Sequence, residues 1–112
     1  MTPQKGALLS AVLLFFSILP SSTQAQQNFE VSIQNYHFQP DEIHILQGDT
    51  VKWVNNEKRT SHSVSFPVEN GGESERFFPG ETWLRRFDAP GTYTYHCGPH
   101  PEMIGRVVVG LR

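Results

Sequence analysis

Turn signals recur so often along this chain that the runs between them are too short for anything but strands. Residues 29–33 alternate apolar and polar side chains. Residues 42–46 follow Gln39-Pro40-Asp41, and residues 50–55 follow Gln47-Gly48-Asp49. Residues 62–66 stop at Pro67, residues 82–87 follow Pro79-Gly80-Glu81, and residues 92–97 follow Ala89-Pro90-Gly91. Residues 104–109 close the chain. These runs are rich in β-branched and aromatic residues, and helical periodicity is absent after residue 26. Seven such runs predict an all-β domain, an antiparallel Greek-key β-sandwich of about 7–8 strands. Residues 69–76 are polar and glycine-rich and read as a surface loop, with Glu69, Glu73 and Glu75 a weak acidic cluster in solvent.

The segment before the first strand has a different character. Lys5 precedes an apolar run over residues 7–19 that only Ser10 and Ser17 interrupt, and Thr23-Gln24-Ala25 supplies small residues at the positions a signal peptidase reads. The run is shorter than the ~20 residues of a membrane span. The expectation is a cleaved export signal over residues 1–25 and a single domain over residues 26–112, 87 residues long. Without Lys5 the domain keeps eight Lys and Arg against eleven Asp and Glu, a formal charge of −3. That balance argues against nucleic acid or an anionic membrane as partner.

Cys97 is the only cysteine. An exported domain of this size commonly relies on disulfides, and one cysteine makes none internally. An odd cysteine in such a protein points to an intermolecular bridge or a functional thiol. Strand alternation puts Tyr93, Tyr95 and Cys97 on one face and Thr94 and His96 on the other. With the tyrosines against the core, Cys97 points inward and His96 outward. Cys97-Gly98-Pro99-His100-Pro101-Glu102-Met103 then places a thiol, an imidazole and a thioether three residues apart.

A thiolate, two imidazoles and a weak axial thioether form the ligand set of a type 1 copper site. His62, in Thr60-Ser61-His62-Ser63-Val64, is the candidate for the second imidazole. Singly, each residue has a plainer reading: Cys97 as a small buried hydrophobe, Met103 as core filler, His62 as a satisfied polar side chain. Three other functions use the same residues. A copper chaperone or storage protein would use Met-rich, His-rich or multiple-Cys sites, and Met103 is the only methionine after residue 25. A nucleophilic Cys97 would leave Met103 unexplained. Zinc takes thioether poorly. His37 and His44 read as solvent-facing. His96 reads as an exposed polar side chain, or as a second electron exit through Cys97. Lys58, Arg59, Arg85 and Arg86 read as solvated basic clusters.

The pattern Tyr95-His96-Cys97-Gly98-Pro99-His100-Pro101, with Met103 three residues after His100, resembles the ligand loop of the cupredoxins, and its short spacing is most similar to the amicyanin group among them. Gly48-Asp49-Thr50-Val51-Lys52-Trp53-Val54-Asn55 and Pro90-Gly91-Thr92-Tyr93-Thr94-Tyr95 extend the resemblance over nearly the whole domain. It implies one type 1 copper ion with His62, Cys97 and His100 equatorial and Met103 axial. It also implies a periplasmic one-electron carrier that is not an enzyme, a monomer forming transient complexes. The donor it implies is a methylamine dehydrogenase or similar protein, and the acceptor a c-type cytochrome. The exposed ring edge of His100 would serve as the port, amid an apolar patch of Pro99, Pro101, Met103 and Pro67. The chain departs from the family at Ser63, where cupredoxins commonly carry Asn. A hydroxyl reaches less far than a carboxamide, so the expectation is a weaker tie between the ligand loops, or one completed by water.

Overall fold

Burial with a period of two runs through the strands of the computed structural model, which describes residues 13–15, 17 and 25–112. The export signal expected over residues 1–25 lies almost wholly outside the described residues. In β1 (Asn28–Gln34) Val31 and Ile33 are buried, and in β2 (His37–Gln39) Phe38 is. β3 (Glu42–Leu46) buries Ile43 and Ile45, and β4 (Thr50–Asn55) buries Val51, Trp53 and Asn55. β5 (Thr82–Arg86) is only half covered. β6 (Gly91–Cys97) buries Tyr95 and Cys97, and β7 (His100–Gly110) buries Met103, Gly105, Val107 and Val109. Each strand therefore turns one row of side chains toward a common core.

The strands form a four-stranded sheet, β2-β1-β4-β5, and a three-stranded sheet, β3-β7-β6. The sandwich is mixed rather than wholly antiparallel as expected, because β1 runs parallel to β4 and β3 parallel to β7. The cause is the path of the chain. It leaves the first sheet after β2, runs through β3 in the second, and returns as β4 beside β1 in the same direction.

Six of the seven expected runs are strands. The seventh, over residues 62–66, forms no ladder. Single bridges hold it, from His62 to Phe77 and from Ser65 to both Glu73 and His96. β2 is the strand that the sequence pattern did not reveal. It is only three residues long and follows the two-residue turn Asn35-Tyr36, whose φ values are +53° and +58°. Positive φ at both central residues is what a tight hairpin turn of this kind requires. Among the described residues there is no α-helix, only a 3-10 turn at Val68–Asn70.

Trp53 sits at the centre of the core, fully buried, with Tyr95 edge-on at 5.4 Å and Trp83 tilted at 5.3 Å. Aromatic packing of this kind contributes ~0.5–1.5 kcal/mol per pair beyond area burial. Arg85, expected in a solvated basic cluster, instead lays its guanidinium over Phe66 and Phe87 at 4.4 and 4.6 Å. It is half-buried and caps the aromatic cluster.

Candidate metal centre

The loop after β4 is organised by one buried amide. Asn55 donates from Nδ2 to the carbonyls of Thr60 (2.9 Å) and Phe77 (3.0 Å), and its Oδ1 accepts from Glu57 N at 2.9 Å. These three bonds fold residues 56–61 back on the strand and deliver His62 to the end of the sandwich. His62 is pinned there by exchanging both backbone bonds with Phe77, at 3.1 and 3.0 Å.

Cys97 and His100 arrive on a hairpin. They are register partners across the two-residue turn Gly98-Pro99. The ladder then breaks between His96 and Cys97: His96 pairs with Ile104 while Cys97 pairs with His100. Residues 101–103 of β7 therefore have no partner on β6. This bulge changes the phase of β7, and Met103 enters the same buried cluster as Cys97. The segment expected to be a single loop is thus half turn and half bulge.

The outcome is a compact donor set. His62 Nδ1 lies 3.5 Å and His100 Nδ1 3.6 Å from Cys97 Sγ. One ligand atom from each of the three residues falls within 4.8 Å of the others. His62 and Cys97 are fully buried and His100 is half-buried. Ser63 N donates to Cys97 Sγ at 3.5 Å. A soft sulfur and two imidazole nitrogens converging in a closed site suit a copper ion. Full burial also removes Cys97 from any substrate, which counts against a nucleophile.

The imidazole of His62 is prepared for ligation. Its Nε2 lies 3.1 Å from Glu57 Oε1. A carboxylate only accepts, so Nε2 carries the proton and the Nδ1 lone pair faces the sulfur. Burial pushes the His62 pKa down, Glu57 opposes this, and the net shift favours the neutral ring. Burial pushes Glu57 up, but N–H donors from Tyr36 and Asn35 and the His62 ring outweigh it and hold the carboxyl below its usual range.

Three neighbours escaped the sequence reading. Tyr36 stands edge-on to His100 at 4.9 Å and to His62 at 5.7 Å. Its N donates to Glu57 Oε1 at 2.8 Å, and its hydroxyl shares a 3.1 Å bond with Thr60 Oγ1. Only Asn35, a turn residue, signalled that the chain reverses there. Glu57 is the second. Glu73 is the third: exposed, as expected, it also accepts from Ser63 Oγ at 2.7 Å. The tie expected to be weak at Ser63 is therefore made directly, since Ser63 Oγ also accepts from Gly98 N at 3.0 Å.

The apolar patch differs from expectation as well. Met103 is 3% exposed and so contributes nothing to the surface, whereas Ile104 is 58% exposed. Pro67, Pro101 and Ile104 line a shallow groove that the half-buried His96 also faces. His37 and His44 are exposed, as expected.

The Cupredoxin-like domain family model matches residues 7–109. The chain is 42% identical over 84 residues to amicyanin-alpha of Methylorubrum extorquens, an alignment covering 71% of this chain and 70% of that one. It is 39% identical over 83 residues to amicyanin of Paracoccus denitrificans, covering 70% of this chain and 63% of that one. Among solved structures, the reduced Cu(I) form of an amicyanin variant at pH 4 superposes with a TM-score of 0.70 and 34% identity, covering 76% of this chain and 84% of that one.

Proposed function

The chain belongs to the cupredoxin family, and from that premise we propose that it is a periplasmic one-electron carrier whose copper is held by His62, Cys97, His100 and Met103. The observation that carries this is the convergence of His62 Nδ1 and His100 Nδ1 on the buried Cys97 sulfur, at 3.5 and 3.6 Å. Copper bound there supplies a Cu(II)/Cu(I) couple, the chemistry of a carrier and not of an enzyme. The protein's part is to keep the donors still. Asn55, Phe77 and Glu57 fix His62, the Gly98-Pro99 turn fixes Cys97 against His100, and the sandwich excludes water. Met103, six residues after Cys97 and buried in the same core cluster, is the remaining soft donor.

Electrons pass through the half-buried ring of His100, which Pro99 and Pro101 flank at the surface. A small apolar rim suits brief encounters, since transient redox interfaces are small. The similarity to amicyanin supports a methylamine dehydrogenase or related enzyme as donor and a c-type cytochrome as acceptor. The apolar run at residues 7–19 and the small residues before Gln26 support removal of residues 1–25 on export, for which intact mass is the check. For the site itself, copper titration of the 26–112 chain is expected to saturate at one ion per chain, and His62→Ala or His100→Ala to weaken binding. Saturation at more than one ion, or binding untouched by either change, would contradict the assignment.

A further inference from the structure

Ser63 and Gly98 each adjoin a ligand of the proposed copper site, His62 and Cys97, and the bond between them joins the two ligand segments, beside the Ser63 N–Cys97 Sγ contact and the Ser65–His96 backbone pair. A hydroxyl is a poor link by itself, because it rotates freely and has a single proton to commit. Here the proton is committed. Ser63 Oγ donates to Glu73 Oε1 at 2.7 Å and accepts from Gly98 N at 3.0 Å. A bond to a carboxylate is short and strong, and it polarises the hydroxyl toward its own donor.

Glu73 is delivered by its backbone. Phe66 N donates to the Gly72 carbonyl at 2.9 Å and Ser74 N to the Val64 carbonyl at 2.9 Å. Val64 N donates to Ser74 Oγ at 2.9 Å. The segment 72–74 is thereby laced to 64–66, immediately beyond His62 and Ser63. Gly98 completes the arrangement. A Cβ at that position would stand 1.7 Å from Glu73 Oε1 and 2.8 Å from Ser63 Oγ, so the carboxylate fills the space a side chain would need.

We propose that Glu73 is a positioning residue of the metal centre: through the Ser63 hydroxyl its carboxylate fixes the Cys97–His100 turn against the segment carrying His62. This relay takes the place of the Asn that cupredoxins commonly carry at the Ser63 position. It adds something an Asn would not, a fixed negative charge beside the ligand turn. Such a charge favours the more positive, oxidised state of the site and holds the reduction potential down.

The inference rests on the copper reading, and its test separates the two. In the metal-free 26–112 chain, Tm is measured for Ser63→Ala, Glu73→Ala and the double variant. The relay predicts non-additive losses, the double variant being no worse than the worse single one. Ser63→Asn introduced with Glu73→Ala is expected to recover Tm, because a carboxamide spans to the Gly98 N–H unaided. In the copper-loaded protein, Glu73→Gln retains an acceptor oxygen but no charge, and is expected to shift the midpoint potential positive with little change in Tm. Additive Tm losses, or a Glu73→Gln potential equal to wild type, would overturn the proposal. A wild-type chain without a thiolate–copper band would overturn the copper reading instead, and the metal-free cycle would still decide the relay.

Discussion

Glu57 accepts two donors at one oxygen, Nε2 of His62 at 3.1 Å and the backbone of Tyr36 at 2.8 Å. Removing it leaves a fully buried imidazole N–H unpaired, at a cost of ~1–3 kcal/mol. Loss of a partner that orients a ligating histidine typically weakens metal binding about 10–100-fold. Glu57→Ala should therefore lower the Tm of the metal-free protein and shift copper to a competing chelator; unchanged affinity would mean that packing alone holds the ring. Pro99 acts by omission. It has no N–H to offer the Cys97 sulfur, which receives Ser63 N at 3.5 Å. Pro99→Ala introduces a donor at that position, draws density from sulfur, and should raise the midpoint potential in voltammetry; a drop or no change would refute this. The proposed ligands were legible in the sequence because their chemistry is distinctive at that spacing. Glu57, Tyr36 and Glu73 were not, because ordinary residue types acquire their roles only through contacts across the fold. The Tyr36–Glu57 bond spans 21 positions, and the Ser63–Glu73 bond spans 10.

At the scale of elements, the turn between β3 and β4 depends on Asp49. Its carboxylate accepts from Leu46 N and Gln27 N, each at 2.9 Å, and pairs with Arg112. Burial pushes its pKa up, but those N–H donors and the guanidinium outweigh burial and hold it below the ordinary 3.8. A carboxyl depressed in the folded state stabilises the fold above its unfolded value, and that stability is lost as pH falls through the folded value. Asp49→Ala should cost about 1–3 kcal/mol at neutral pH. The Tm gap to wild type should then narrow below pH 3.8; a gap constant across that range would contradict the assignment. Six strands were legible because alternation marks them. The run over 62–66 alternates equally well, yet its backbone bonds are split among Phe77, Glu73 and His96, so no ladder forms. β2 was hidden by its length. The bulge over residues 101–103 was hidden because alternation cannot show where a register breaks.

For the whole molecule, two sheets share one aromatic core, and no disulfide links them. The proposed centre joins the β6–β7 hairpin to the 62–63 segment between the sheets, so metal and fold stability are linked. Metal at 100 times its dissociation constant adds ~2.7 kcal/mol. For a domain of this size that corresponds to a Tm rise of about 10–20 °C. Calorimetry of the copper-loaded and stripped 26–112 chain should show that gap; coincident transitions would mean that copper does not bind the folded chain in preference to the unfolded one. The sandwich class was legible in the turn spacing. The parallel pairs β1/β4 and β3/β7 were not, since local pattern does not reveal which sheet a strand joins. A thiolate–copper site built on Cys97 would show itself in the visible spectrum of the 26–112 chain after Cu(II) addition, recorded beside Cys97→Ser. The expected result is an intense blue thiolate-to-copper band, bleached by ascorbate and absent from the variant. A colourless protein, or a pale band that survives Cys97→Ser, would contradict it.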